Sequence, residues 1–214
     1  MPAPRRRLVV ASANPGKLSE FRDLLADAPF DLTSLGELGL PSPDETGATF
    51  LENALLKSRH AAISSGGAAI ADDSGLEVDA LGGAPGVHSA RFAGAQADAG
   101  ANNAKLIAAL RALDPRRHPQ PWRARYRCVL VLMRDADDPE PLIAEGVWEG
   151  EIVAAPRGRG GFGYDPHFLL PGLGVTAAQL DPAHKNRLSH RGSALRALRE
   201  RSLSEHCAWP RPWP

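Results

Sequence analysis

The apolar positions of this chain follow two rhythms. Short unbroken apolar runs read as strands, and three-to-four-residue spacings read as helices. Residues 7–12, an arginine followed by LVVAS, form a buried strand. Asn14-Pro15 then supplies an N-cap with proline at the first helical position. Leu18, Phe21, Leu24 and Leu25 recur at helical spacing, which predicts a helix to about Ala28. Residues 30–34 suit a second strand. Thr49-Phe50-Leu51-Glu52 fits a capping box and opens a helix to about Ser65. Residues 68–94 hold an apolar run AAIA, an acidic turn at its end and a loop rich in glycine and proline. A helix with Leu106, Leu110 and Leu113 on one face follows, then a proline-rich loop at 114–121. Residues 123–134 are the clearest strand. Their second half, CVLVLM, is apolar on both faces and belongs in the middle of a sheet. A strand at 142–153, open to bending at Gly146 and Gly150, follows so closely that the sheet should be mixed. Asp181-Pro182 and Ser189 mark two further helix starts, and Leu195 and Leu198 stripe the last helix. The tail AWPRPWP cannot be helical. Strands alternating with helices define an α/β fold.

Composition narrows the class. With 214 residues, 43% hydrophobic and 23% charged, the chain suits a globular protein of one domain, or one domain with two lobes. Lys+Arg and Asp+Glu balance at 25 each, which argues against a dedicated nucleic-acid or membrane-surface binder. Arg5, Arg6 and Arg7 precede an apolar run that ends at Ala11, too short for a signal peptide, and no stretch is long enough to cross a bilayer. A cytoplasmic protein is expected. Cys128 and Cys207 form no metal or redox spacing, and Cys128 falls in an apolar strand as a core residue.

Five stretches carry candidate chemistry. In Ser12-Ala13-Asn14-Pro15-Gly16-Lys17, amides at a helix start favour an anion, and a lysine in the first turn works against the helix dipole, which hints at a phosphate. A well-capped helix with a surface lysine is the plain alternative. Glu45 lies in the loop before the second helix, and Lys57 lies further along that helix. Ala71-Asp72-Asp73-Ser74-Gly75-Leu76 places two adjacent acids after a buried run, as a hard-cation site needs and as a solvated turn also allows. Gly160-Gly161-Phe162-Gly163-Tyr164-Asp165 sets two aromatics among glycines, a flat platform for a nucleobase, with Asp165 able to accept a ring N–H. Lys185, Ser189, His190 and Arg191 gather donors at a helix start, for an anion or a carbonyl, or as a solvated basic face.

Taken in order, the strings SANPGK, ETGATFLENALLKSRHAA, AIADDSGLEVDALGGAPGVHSARFAG, GRGGFGYDPHF and HKNRLSHRGSAL resemble the inosine/xanthosine triphosphate pyrophosphatase family over roughly residues 8–200. The resemblance implies an elongated mixed β-sheet flanked by helices, forming two lobes with the active cleft between them. It treats 1–214 as one such domain with a 204–214 tail outside the match. It implies a homodimer that binds neither nucleic acid nor membrane. The reaction it implies is Mg2+-dependent hydrolysis of ITP, dITP and XTP to the monophosphate and pyrophosphate. Asp73 matches the proton acceptor and a metal position, and Glu45 matches the other metal-associated acid. Ser12, Ala13, Asn14, Pro15, Gly16 and Lys17 match the triphosphate loop, Lys57 a phosphate-side lysine and Ser74 a substrate contact. Phe162, Gly163, Tyr164 and Asp165 match the base-stacking segment. Lys185, His190 and Arg191 match the base-recognition cluster. Three departures stand out: His88 and Phe92 replace usual tyrosines, and His184 replaces a usual acid. A pyrophosphatase for other modified nucleotides, a nucleotide-binding regulator without catalysis and a nucleic-acid module are the other readings of the residues.

Overall fold

The structure, a computed structural model, describes residues 5–203. The AWPRPWP tail and Cys207 lie outside the described residues. Strands β1 (Arg6–Val10), β2 (Phe30–Ser34), β3 (Ala69–Val78), β4 (Trp122–Met133), β5 (Leu142–Ile152), β6 (Phe168–Leu170) and β7 (Val175–Thr176) form one sheet in the order β2-β1-β3-β4-β5-β6-β7. Helices α1 (Pro15–Leu24), α2 (Phe50–Ser65), α3 (Ala99–Arg111), α4 (Pro182–Leu188) and α5 (His190–Leu203) complete the α/β fold. The sheet is mixed: β1 pairs in parallel with β2 and β3, whereas β6 is antiparallel to β5 and β7.

The described chain divides into two compact units, one made of residues 5–73, 128–146 and 191–203, the other of 74–127 and 147–190. In the first unit, period-two alternation decides what each strand residue meets. Leu8 and Val10 of β1 and Ile70 of β3 share one cluster with Phe21 of α1 and Leu195 and Leu198 of α5. Val9, Ala11, Ala69 and Ala71 share another with Ala61 and Ala62 of α2. Helices therefore cover both faces of these strands. The second unit has its own core: Leu76 and Val78 of β3, Trp122 and Tyr126 of β4, Trp148 of β5, Phe168 of β6, and Leu106 and Leu110 of α3.

Local chemistry sets the ends of the elements. Asn14 caps α1 with proline following, and Thr49 and Glu52 form the expected capping box on α2. Gly66 ends α2 at φ 66°, a left-handed position that suits glycine. Asp98 caps α3, and Asp181 caps α4 by accepting from the His184 amide. The elements depart from the sequence pattern in places. Helix α1 stops at Leu24 rather than about Ala28, because Pro29 disfavours a helical residue before it and its carbonyl accepts from Arg6 N–H at 3.0 Å. Strand β5 runs unbroken through Gly146 and Gly150. Gly150 is there for space, since a Cβ at that position would sit 2.5 Å from the Phe168 ring.

Candidate active site

The Asp72-Asp73 pair lies inside β3 and not at a strand end, since the strand continues to Val78. Adjacent carboxylates are tolerated there because neighbouring strand residues point to opposite faces. Asp72 shares the parity of Ile70 and meets α1 and α5. Asp73 shares the parity of Ala69 and Ala71 and meets α2.

Asp72 is fully buried among cations. Its Oδ1 accepts from Lys17 Nζ at 2.5 Å and its Oδ2 from Arg191 Nε at 2.7 Å. The Cys128 thiol lies 3.1 Å from Oδ2, and Arg191 also pairs with Glu20 of α1. Burial alone would push Asp72 up, but Arg191 and then Lys17 outweigh it and hold the carboxyl well below the usual carboxylate range. The chain is thus Glu20–Arg191–Asp72–Lys17, with Arg191 itself fully buried.

Asp73 has a different environment. Its Oδ1 accepts from Lys57 Nζ at 2.6 Å, and its Oδ2 lies 3.3 Å from Asn53 Nδ2. Lys57 Nζ also donates to Glu45 Oε1 at 2.9 Å. Burial raises Asp73 above the usual carboxylate value, with Lys57 offsetting part and Glu45 adding its like charge. Burial would lower Lys57, yet Asp73 and Glu45 together hold it above its usual value. The Glu45 loop is anchored by Asn53, whose Oδ1 accepts from Gly47 N–H at 2.8 Å. Gly47 must be glycine for this approach, because a Cβ there would lie 2.7 Å from Asn53 Oδ1.

Residues Ser12 to Lys17 form the turn and first turn of α1, as expected, but their amides are not all available. Asn14 Oδ1 accepts from Gly16 and Lys17 N–H at 2.9 and 3.1 Å, and Ser12 Oγ accepts from Asn14 N–H at 3.2 Å. Pro15 has no N–H and Ala13 precedes the cap. The anion-binding capacity of this loop therefore rests on Lys17 more than on free amides. Ser74 follows Asp73 in β3, half-buried, within the second unit.

The second unit holds a separate polar cluster. Asp165 is buried, and its oxygens are occupied. Oδ2 accepts from Lys185 Nζ at 2.6 Å and from Phe162 N–H at 2.9 Å; Oδ1 accepts from Tyr126 Oη at 3.1 Å. Asp165 is thus the clamp that holds Lys185 and the Phe162 loop. Lys185 Nζ sits 4.5 Å over the Phe162 ring, a cation–π contact. The two-aromatic platform is reduced to one ring. Phe162 is half-buried, whereas Tyr164 is buried and donates to Ser89 O at 2.8 Å. Burial pushes the Tyr164 phenol up. Gly161 and Gly163 take φ of 69° and 63°, which makes the tight turn possible. Asn103 Nδ2 secures Gly163 O at 2.8 Å.

His190 stacks on Tyr126, ring centroids 4.8 Å apart and planes 11° from parallel, and belongs to the Tyr126–Trp148 stack. Of the expected trio, Lys185 and His190 belong to the second unit, and Arg191 belongs to the Asp72 network of the first. Consecutive residues of a helix point about 100° apart. Of the departures, His88 is exposed on a short 3-10 turn at Gly86–Arg91, and Phe92 is covered by Lys105 Nζ at 4.6 Å. Sequence reasoning missed Glu20 and Tyr126, and gave Asn53, in the stretch with Glu45 and Lys57, no role of its own. Glu20 could have been suspected from its place among the apolar positions of α1, where it is buried; Asn53 and Tyr126 carry no local signal.

The fold and these side chains define an α/β protein with one carboxylate–lysine site suited to hard cations and phosphate oxygens, and a second, aromatic–lysine site. A family model described as the Ham1 family matches residues 8–201, and the chain belongs to the Ham1 family. A protein of Xanthomonas campestris described as a dITP/XTP pyrophosphatase is 57% identical over 92% of this chain and 96% of its own. One of Burkholderia pseudomallei with the same description is 59% identical over 92% of this chain and 93% of its own. The solved structure of a HAM1 protein from Coxiella burnetii matches with a TM-score of 0.81 at 48% identity, over 90% of this chain and 96% of that one.

Proposed function

We propose that this chain hydrolyses noncanonical purine nucleoside triphosphates, dITP, ITP and XTP, to the monophosphate and pyrophosphate. The observation that carries the reading is the Glu45–Lys57–Asp73 cluster in a chain of this family. One carboxylate there, Asp73, is raised above its usual value by burial and can take up a proton. Triphosphate chemistry is assigned to the first unit and base recognition to the second.

The donor set fits Mg2+. Glu45 and Asp73 offer oxygen ligands only, and Mg2+ is commonly held by one or two carboxylates together with substrate phosphates. Among the described residues no third His, Cys, Asp or Glu joins them, which leaves the remaining positions to phosphate oxygens and water. When bound, the ion would neutralise phosphate charge and polarise the α-phosphorus. Asp73 takes a proton from the attacking water. The water oxygen bonds to the α-phosphorus, the α–β bridging bond breaks, and pyrophosphate leaves. Lys17 and Lys57 carry positive charge to the phosphate oxygens, and Ser74 contacts the substrate. Positioning and charge stabilisation supply most of the acceleration, as in other phosphoryl transfers.

Phe162 stacks on the base, and Lys185 donates to the six-position carbonyl of hypoxanthine or xanthine, where adenine has an amino group. His190 supports this recognition from its stack on Tyr126. Lys185→Met should therefore cut kcat/KM for ITP about 10–100-fold, the worth of one charge-assisted hydrogen bond, while changing ATP turnover much less. An unchanged ITP-to-ATP ratio would remove Lys185 from base reading. The same proposal includes the family's homodimer and cytoplasmic setting. Among the described residues no helix is long and apolar enough to cross a membrane.

The test is a substrate panel of ITP, XTP, dITP, GTP and ATP, with Mg2+ or with EDTA, and separation of products. Monophosphate and pyrophosphate from the noncanonical substrates, lost with EDTA, is the expected result. Nucleoside diphosphate and orthophosphate would mean attack at the γ-phosphate and would overturn it.

A further inference from the structure

We propose that Lys57 is a built-in stand-in for the divalent cation: its ammonium holds Glu45 and Asp73 together in the metal-free protein, and the arriving metal displaces it towards the substrate's phosphates. The inference rests on the reading of Glu45 and Asp73 as the metal-associated acids and adds how the protein manages that site before the metal arrives.

The geometry is specific. Lys57 Nζ lies 2.9 Å from Glu45 Oε1 and 2.6 Å from Asp73 Oδ1, and it bridges two carboxylates that come from different elements, the loop before α2 and strand β3. A cation held by those two acids would compete with the ammonium for the same oxygens. The side chain is buried and rises from the middle of α2, whose start is secured by the Thr49–Glu52 capping box, so its anchor is rigid while its four-carbon stem can swing. Asn53 Nδ2 contacts Asp73 Oδ2, leaving Oδ1 as the oxygen the lysine holds. A lysine ammonium is a compact point charge with three donors, and a hard divalent ion seeks the same oxygens. Two like charges cannot share them in a buried place without strong repulsion.

Two consequences follow from displacement. Without nucleotide, metal binding is weakened, because the metal must remove a good partner and leave Lys57 with no anion. With a triphosphate present, the displaced ammonium gains phosphate oxygens, so metal and nucleotide strengthen one another's binding reciprocally. Lys57 then serves as a positioning residue for the metal and a phosphate ligand in turn, and the free protein keeps both carboxylates neutralised and in place.

The test uses the full-length protein and Mn2+ alone, with free Mn2+ followed by its electron spin resonance signal. Lys57→Met keeps the length of the stem and removes the charge. Its dissociation constant for Mn2+ without nucleotide should fall at least about tenfold relative to wild type, within the usual span of coupled sites. A non-hydrolysable ITP analogue should tighten Mn2+ binding much more in wild type than in Lys57→Met. Unchanged or weaker Mn2+ binding by the variant would overturn the proposal, as would tight binding that survives Glu45→Gln in the same chain. The unmutated protein supplies a second measurement that does not depend on the variant's folding. The 15N-lysine ammonium signal that is missing from Lys57→Met should shift or vanish when Mg2+ is added to wild type, and a signal unmoved by saturating Mg2+ would also overturn displacement. Failure of metal-dependent ITP turnover would instead strike the functional reading itself. Unaltered Mn2+ affinity in Lys57→Met, with metal-dependent ITP turnover present in the wild type, would strike displacement alone.

Discussion

Asp73→Asn should lower kcat/KM for ITP by roughly 10²–10⁴-fold, the usual worth of a general base, while nucleotide binding stays measurable. Asparagine is nearly the same size and can still meet Asn53, but it cannot take a proton from water. Wild-type turnover in that variant would remove Asp73 from the reaction. The pH profile offers a second readout. Burial, with Glu45 nearby, raises the folded carboxyl above 3.8, and the reaction needs it ionised, so the acid limb of kcat/KM should lie above that value and disappear in the variant. The sign for stability is the opposite one. A raised folded pKa favours the protonated form in the fold. Asp73's contribution to stability is therefore fully present below its unfolded value and is lost as pH rises through its folded value.

Asp72→Asn should be the most destabilising of the site substitutions, by about 3–5 kcal/mol, the range measured when one partner of a buried ion pair is removed. The variant leaves the buried Arg191 with Glu20 as its remaining named acid and strips Lys17 of its 2.5 Å partner. Equilibrium unfolding in urea at neutral pH measures the loss, and a midpoint within error of wild type would show that the network does not depend on Asp72. The pH dependence again follows from the direction of the shift. Arg191 and Lys17 hold Asp72 well below 3.8 against the cost of burial. Its contribution is therefore present above 3.8 and is lost as pH falls through the lower folded value. The gap between wild type and Asp72→Asn should stay constant from neutral pH down to about 3.8, then narrow progressively and close below the lower folded value. The neighbouring acids thus give opposite pH signatures, because Arg191 and Lys17 outweigh burial at Asp72, whereas burial, with Glu45 adding to it, outweighs Lys57 and Lys17 at Asp73.

Much of this was legible along the chain. Residues 123–134 read as a central strand, and Cys128–Met133 are buried without interruption. Asn14, Thr49 with Glu52 and Asp181 each announced a helix start and each caps one. These signals act over a few residues, through hydrogen bonds that a local sequence can satisfy by itself. The five candidate stretches were also visible, since glycine-rich loops and paired acids are unusual enough to be noticed before any fold is known, and their order matched a family. Local pattern could not decide where β3 ended, because Asp-Asp-Ser-Gly satisfies turn chemistry as well as it does a strand whose two faces are both supplied with cations.

The α/β class, the helix caps, the positions of the charged and glycine-rich segments and, through their order, the family can all be read along the chain. Which of those charges meet emerges only in three dimensions. Lys17 and Arg191, far apart in the chain, converge on Asp72. Lys57 bridges Glu45 and Asp73, and Asp165 is taken by Lys185 and Tyr126. The physical reason is that strand parity, helix phase and burial assign each side chain its partners across sequence separations of tens to more than a hundred residues. A carboxylate's pKa, and with it its role, comes from those partners and not from its neighbours along the chain.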